Sequence, residues 1–379
     1  MRILHVSDAY LPKQGGIEVQ VHDLAMRQIQ AGHDVEVLTC AAGDGDDTPG
    51  PGGLGGPQEP RIWRVKVPWG RVRRSNERLY AHYREHSPDV VHAHLSVLSP
   101  LSILAVRSAA RAGVPVVATL HSLWWWATPL YRIADWLLNW SGWRVHWTAV
   151  SELAAEPLRA IASPPAEVSI MPNGVEPRDW AVDRLERDPN EVVVVSVMRL
   201  AARKRPRALL GVVRRARAQL PDGVRLRVVI VGDGPLRARL DREIDKLGLR
   251  GTVELVGRMQ REQIRELYRR ADIYIAPAIL ESFGIAALEA RCAGVPVIAR
   301  RQTGIADFIH PNTHGLLASS DAGLASALVD LASSPSTRAR MAEHNRRAAP
   351  DSGWADVLQR CELAYKVADG ISRPEPGGS

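Results

Sequence analysis

The stretch APAILESFGIAALEARCAGVPVIA, residues 276–299, carries two glutamates eight residues apart, Glu281 and Glu289. The first stands just ahead of Ser-Phe-Gly, at the mouth of a helical pattern that Gly294 ends, and the second lies inside that pattern. A carboxylate beside a helix start can accept hydrogen bonds from sugar hydroxyls. The amides of Phe283, Gly284 and Ile285, which open the helix, favour an anion such as a phosphate. Glu289 can reach a ribose if the ligand lies over the first turns. The competing reading makes Glu281 a helix cap and Glu289 a solvated surface charge.

Other residues of similar promise sit after strand-like runs. Arg199 and Lys204 follow EVVVVSVM and would suit a diphosphate, arginine as a fork and lysine as a point charge. Their basic neighbours Arg203, Arg205 and Arg207 leave a solvated basic loop as the alternative. Gly15 and Gly16 lie between ILHVS and IEVQVHDLA, where glycine allows positive φ and close backbone approach, and the helix start invites an anion. An ordinary strand-to-helix turn would look the same. Gly232-x-Gly234 suggests a nucleotide turn, and Glu254, about twenty residues on, makes a NAD-dependent Rossmann enzyme arguable. Arg237 stands where that fingerprint wants its third glycine. Asp44-Gly45-Asp46 has the spacing of a divalent-ion site on a diphosphate, but lies in a glycine- and proline-rich loop.

The elements that would position these residues alternate almost end to end. Strand-like runs in the first half are RILHVS, DVEVLT, IWRVKV, DVVHAH, VPVVATLH, VHWTAVS and EVSIMPN. The second half has EVVVVSVMR, RLRVVIVG, TVELVG, ADIYIAP, VPVIAR and HGLLA. Many are apolar on both faces, as strands between helix layers must be. The alternation occurs twice, so the expected class is α/β with two doubly wound domains. Their boundary is expected in MPNGVEPRDWAVDRLERDPNE, residues 171–191. Residues 42–60, AGDGDDTPGPGGLGGPQEP, and the tail after Gly370 are too poor in apolar residues to order themselves.

Composition narrows the class further. A chain of 379 residues, 45% apolar and 24% charged, is globular and long enough for two cores. Three distant cysteines, Cys40, Cys292 and Cys361, argue against a disulfide frame or zinc site and for reducing cytoplasm. Residues 112–131 are free of formal charge but hold Gly113, Pro115, His121 and Pro129. They read as a strand and an aromatic loop, not a membrane span. Arginine supplies 44 of the 49 basic residues in a net charge of +7. That charge suits an anionic ligand or membrane surface, and no nucleic-acid fingerprint accompanies it.

Glu-Ser-Phe-Gly followed by Glu289, with Arg199/Lys204, Gly232-Asp233-Gly234-Pro235, Gly15-Gly16, TLHS, AVSE and MPNGV in order, resembles the retaining GT-B glycosyltransferases of family 4 over nearly the whole chain. The resemblance implies two Rossmann-like domains facing a central cleft. An acceptor domain of residues 1–175 would be completed by a helix at about 352–368 crossing back, and a donor domain would span 176–350. It implies transfer of a sugar from a nucleotide-diphosphate donor to a hydroxyl acceptor; no cofactor is expected, and no metal either, because Asp44-Gly45-Asp46 falls in the glycine- and proline-rich loop. Glu281 would hold the donor sugar's hydroxyls, Glu289 the ribose, and Arg199 and Lys204 the diphosphate. Gly15 and Gly16 would close over that diphosphate, and His121 would face the reacting sugar; standing alone, His121 would read as a satisfied strand-end histidine. A nucleotide-sugar 2-epimerase and a non-catalytic nucleotide-sugar binder share the architecture and remain as alternatives. The WWW at 124–126 and the stretch after Cys40 match no assignable acceptor pattern. Basic and aromatic residues in 61–86, then Trp124 to Trp126 and LYRIADWLLNWSGWRVHW, suit either an aromatic core with solvated arginines or peripheral contact with an anionic membrane carrying a lipid-linked acceptor.

Overall fold

The computed structural model describes residues 1–12, 15–43, 59–65, 72–161, 167–185, 188, 190–348 and 350–372. The Asp44/Asp46 pair, most of the polar loop at 42–60, Lys66 to Arg71 and the tail from 373 lie outside the described residues. The chain forms two compact units, residues 1–174 joined by the chain from Trp354 onward, and Val175–Gly353.

The first unit is a seven-stranded parallel sheet. Its strands are β1 (Arg2–Ser7), β2 (Asp34–Thr39), β3 (Arg61–Arg64), β4 (Val90–Leu95), β5 (Val116–Leu120), β6 (His146–Ala149) and β7 (Val168–Ile170). They run in the order β3-β2-β1-β4-β5-β6-β7. Every residue of β4 is buried, because helices cover both faces of the sheet. The helix Trp354–Ser372 belongs to this unit. Its buried Trp354, Val357, Cys361, Ala364, Tyr365 and Ala368 recur at helical spacing, so they form one stripe. Gly174 has no alternative there, since a Cβ would lie 2.4 Å from the Trp354 ring.

The second unit is a six-stranded parallel sheet of β8 (Glu191–Val197), β9 (Arg225–Val231), β10 (Val253–Gly257), β11 (Ile273–Ala276), β12 (Val297–Arg300) and β13 (Gly315–Ala318). The order is β10-β9-β8-β11-β12-β13. The expected α/β class with two doubly wound sheets is therefore present. In each sheet the strand order reverses once, between β1 and β4 and between β8 and β11, and the loops leaving those strands diverge to make a crevice.

The aromatic loop expected after β5 is instead a single 3-10 turn, Trp125–Ala127, followed by the helix Thr128–Leu138. Pro129 at its first turn has the right fixed φ, and Asn139 stops it in the left-handed region at φ 46°. Among the described residues no helix is long and apolar enough to cross a membrane.

Candidate functional site

In the second unit, the reversal of strand order brings together two loops distant in sequence. The loop after β8 makes a short 3-10 turn, Ala202–Lys204, and carries Arg199 and Lys204. The loop after β11 carries Glu281. Lys204 Nζ is salt-bridged to Glu281 Oε2, and both side chains are partly buried. Arg199 is exposed and, among the described residues, has no hydrogen-bonded or ionic partner for its side chain.

Glycines set the path of both loops. Gly232 sits at φ 125°, and a Cβ there would lie 1.9 Å from the Met198 carbonyl oxygen. Its role is to let the loops after β8 and β9 run against each other. Met198 N donates to Val231 O at 2.9 Å, Leu200 N to Asp233 O at 2.9 Å and Leu236 N to Leu200 O at 3.0 Å. Gly284 sits at φ 92°, and a Cβ would meet Ile305 Cγ1 at 2.4 Å. That turn opens the helix Ile285–Cys292, which has no side-chain cap, so its first amides remain available to a ligand. Phe283 is buried against Phe308, their ring centroids 5.2 Å apart, and anchors the turn.

Glu289 is buried rather than a solvated surface charge. Tyr274 on β11 lies within the field of both carboxylates: burial first, then the charges of Glu281 and Glu289, raise its pKa above the usual tyrosine range. Its hydroxyl donates to Val197 O at 3.3 Å, which ties β11 to the exit of β8. The expected basic loop is not simply solvated either. Arg205, itself left-handed at φ 57°, forks onto Asp321 with two bonds of 2.8 Å, and Arg207 grips Glu243 at 2.7 to 3.0 Å. Arg205 first, then Arg300, hold the Asp321 carboxyl below its usual pKa. Tyr274, Arg205 and Asp321 are positioning residues that sequence reasoning missed, since nothing in the local pattern marks contacts made across 77 and 116 residues.

Two expectations need correction. Glu254 pairs in register with Val229, below the carboxyl end of β10, and its carboxylate meets Arg227 at 3.4 Å. It is not at the strand end where a dinucleotide ribose is read, so the NAD reading loses its acid. Gly15 is extended at φ −150°, which any residue can adopt. Close approach is what it provides: a Cβ would lie 2.4 Å from the Glu18 carboxylate, which folds back over the turn where Gly16 starts the helix Gly16–Gln30.

His121, just past β5, is the outer member of a buried polar chain in the first unit. Its Nε2 meets His94 Nδ1 at 3.0 Å, and it bonds Asn173. His94 Nε2 meets His5 Nδ1 at 2.9 Å, His5 Nε2 meets Gln28 Oε1 at 2.6 Å, and Gln28 Nε2 donates to Tyr365 Oη at 2.8 Å. Tyr365 Oη and His92 Nδ1 are 3.0 Å apart, and His92 Nε2 lies 2.7 Å from Thr119 Oγ1. The nitrogens of His5, His92 and His94 are close enough to share a metal ion, but these bonds already use them. The thiols of Cys40, Cys292 and Cys361 are free, and burial pushes them up to about 11, 12 and 12, so none is a poised nucleophile. A hollow of about 980 Å³ on the β10 side of the second unit is lined by Arg227, Arg250 and Glu254; neither Lys204 nor Glu281 contributes to it.

Comparison with known proteins supplies the family context. The model for glycosyl transferases group 1 matches residues 179–348, and that for glycosyltransferase family 4 matches residues 14–179. A phosphatidylinositol N-acetylglucosaminyltransferase gpi3 subunit of Schizosaccharomyces pombe is 28% identical over 379 residues, covering 95% of this chain and 79% of that protein. A glycogen synthase of Mycobacterium tuberculosis is 28% identical over 416 residues, covering 99% and 97%. Anabaena HepE, solved in complex with UDP, superposes with a TM-score of 0.74 at 18% identity, over 97% of this chain and 100% of that one, and shares its two-domain GT-B fold.

The buried histidines make stability depend on pH. Burial lowers His5 and His121 to about 4, and His92 and His94 well below the ordinary 6.5. The unfolded chain therefore takes up protons first. The stabilisation is complete above pH 6.5 and is lost as pH falls towards 4, by about 1.4 kcal/mol for each tenfold difference in proton affinity between the unfolded and folded chain. The urea midpoint is predicted to drop steadily from pH 6.5 to pH 5, before ordinary carboxylates titrate. An unchanged midpoint across that interval would contradict the buried neutral chain.

Proposed function

This chain belongs to the group 1 glycosyltransferases, and from that premise we propose that it moves a sugar from a nucleoside diphosphate donor to a hydroxyl acceptor, retaining the anomeric configuration and using no metal ion. The observation that carries the reading is the Lys204–Glu281 pair beside the uncapped start of the helix Ile285–Cys292. One point of the crevice thus offers a cation and free amides for a departing diphosphate, and a carboxylate for sugar hydroxyls. That a structural neighbour was solved with UDP supports a nucleotide donor.

The hard event is loss of a charged diphosphate from an oxocarbenium-like carbon. Arg199, Lys204 and the amides of Phe283, Gly284 and Ile285 stabilise that developing charge without reorganising, the kind of electrostatics that dominates much of catalysis. Glu281 holds the transferred sugar and Glu289 the ribose. Lys204 exchanges Glu281 for phosphate when the donor arrives, and that frees the carboxylate for the sugar. The departing phosphate accepts the acceptor's proton on the same face of the sugar, so retention needs no carboxylate nucleophile. Gly15, Gly16 and Gly232 serve donor binding, and His121 faces the reacting sugar, its ring held by His94 and Asn173.

The acceptor reading rests on the helix Thr128–Leu138. Its polar side is anchored: Tyr131 Oη donates to Val97 O at 2.5 Å, and Arg132 to Ala160 O at 3.1 Å. Leu130, Ile133, Leu137 and Leu138 are exposed, as is Trp125 just before it, and Trp136 reaches 83% exposure. An apolar face with tryptophan, on a chain of net charge +7, suits the surface of an anionic bilayer. The segment 61–86 is the poorer candidate, because Leu79 and Tyr83 are buried in the first unit, and Trp124 is likewise internal. The name of the fission-yeast relative points to a phosphatidylinositol acceptor and fits this reading better than a glucan does.

Two kinds of experiment follow. Glu281→Ala is predicted to lower turnover at least a hundred-fold yet bind free UDP, or its GDP or ADP counterpart, at least as well, because Lys204 loses its neutralising partner. Lys204→Ala should weaken the diphosphate about ten-fold or more relative to the nucleoside, since a charge-assisted bond is worth roughly 1.5–3 kcal/mol. Near-normal turnover in Glu281→Ala, or equal loss of nucleoside and diphosphate in Lys204→Ala, would overturn the site. In vesicle co-sedimentation, the protein should bind anionic but not neutral vesicles, less so at high salt. The double variant Trp136→Ser/Leu137→Ser should lose at least ten-fold in partitioning. Absence of binding to anionic vesicles at low salt would remove the membrane from the account.

A further inference from the structure

A second group of chemically capable side chains lies at the β2–β3 edge of the first sheet, three strands away from the one that delivers His121. Glu36 on β2 is buried and faces the last two turns of the helix Val72–His86. There His82 and His86 sit four residues apart and so share one helix face. Glu36 Oε2 is 3.4 Å from His82 Nε2, and Glu36 Oε1 is 3.3 Å from His86 Nδ1. The two imidazoles stack with centroids 4.2 Å apart, and Trp63 of β3 packs edge-on against both at 5.3 and 4.8 Å. His82 Nε2 is buried without a hydrogen bond of acceptable geometry, although it faces a carboxylate.

The geometry points to a binding site for one divalent transition-metal ion, zinc by its chemistry, held by Glu36, His82 and His86. A tetrahedral ion with bonds of about 2.0–2.1 Å sets neighbouring ligand atoms about 3.3–3.4 Å apart. The two glutamate–histidine separations, one to each carboxylate oxygen, are of that order, and one ligand atom from each of the three residues lies within 4.8 Å of the others. Two imidazoles and one carboxylate select zinc and its neighbours over magnesium or calcium, which demand oxygen. A hollow of about 230 Å³, lined in part by Asp34, Glu36 and His86, leaves room for a water to complete the shell. Arg61 competes, since its guanidinium lies 2.9 Å from Glu36 Oε1. It also holds Asp34 at 2.8 Å, so it keeps a partner when the ion takes Glu36. The ion would join the strand β2 to a helix about 46 residues further on and so clamp the edge of the first sheet.

The test uses the full-length, tag-free protein, stripped with EDTA and desalted, titrated with zinc(II) at pH 7.5. One equivalent should bind, Tm should rise, and cobalt(II) should give the intense visible bands of a tetrahedral site. His82→Gln/His86→Gln should remain folded, with the Tm of the metal-free wild type, and should lose both the zinc-induced rise and the cobalt spectrum. Glu36→Gln should weaken zinc at least ten-fold. No zinc uptake by the wild type would overturn the proposal and leave a histidine–glutamate ion-pair cluster. Uptake that survives unchanged in the double variant would overturn it equally.

Discussion

The parallel pairing of β8 with β11 at the centre of the second sheet is the constraint from which the candidate site follows. Val194 and Val195 register with Ile273 and Tyr274, and Ser196 Oγ donates to Ile275 O at 2.5 Å. Asp272 extends the connection by accepting from Val193 N at 2.8 Å and from Arg184 at 2.8 Å. Both strands are buried and both end at the same edge, so their loops have to leave side by side. Lys204 and Glu281 therefore meet although 77 residues separate them. The register of one strand pair fixes the chemistry, and a slip by one residue would turn each strand's inward set outward.

What this pairing creates is a site whose charges balance in the absence of ligand. A lone lysine or a lone carboxylate in a half-buried crevice would cost desolvation with nothing to offset it. Paired, each stabilises the other, and in the proposed reaction a donor would bring its own anion and hydroxyls. The surrounding contacts hold the pair in place. Arg205 fastens the β8 loop to Asp321, Gly304 N fastens the β11 loop by donating to Glu281 O at 2.9 Å, and Gly232 admits the Met198 carbonyl. Preorganisation of this kind limits the motion that charge stabilisation requires.

Much of this was legible in the sequence, for physical reasons that differ by residue. Strands such as VVVVSV and IYIAP carry apolar residues on both faces, which only a sheet covered twice requires. Glu281 was visible because a strand, a proline and a glycine-opened helix bracket it. The Lys204–Glu281 pair was not visible, because strand order decides it and the letters do not give strand order. Nor was the histidine chain: His5, His92 and His94 read as isolated polar residues within apolar strands until β1, β4 and β5 align them. The helix Thr128–Leu138 was hidden for a different reason. Its apolar side faces outward, so its tryptophan and leucines imitate core. Gly15 looked like a residue needed for positive φ, whereas close approach by Glu18 is what it serves.

Transfer itself remains the central claim, and one measurement addresses it most directly. The purified chain is incubated with UDP-, GDP-, ADP- and dTDP-sugars, with and without lipid extract as a source of hydroxyl acceptors. Released nucleoside diphosphate and the fate of labelled sugar are then followed together. The account predicts that one donor yields its diphosphate in an acceptor-dependent manner, with the label moving in equal amount into a glycoside of unchanged anomeric configuration. A nucleotide sugar altered at C2 without any acceptor, a glycoside of inverted configuration, or binding of every donor with no turnover would contradict it.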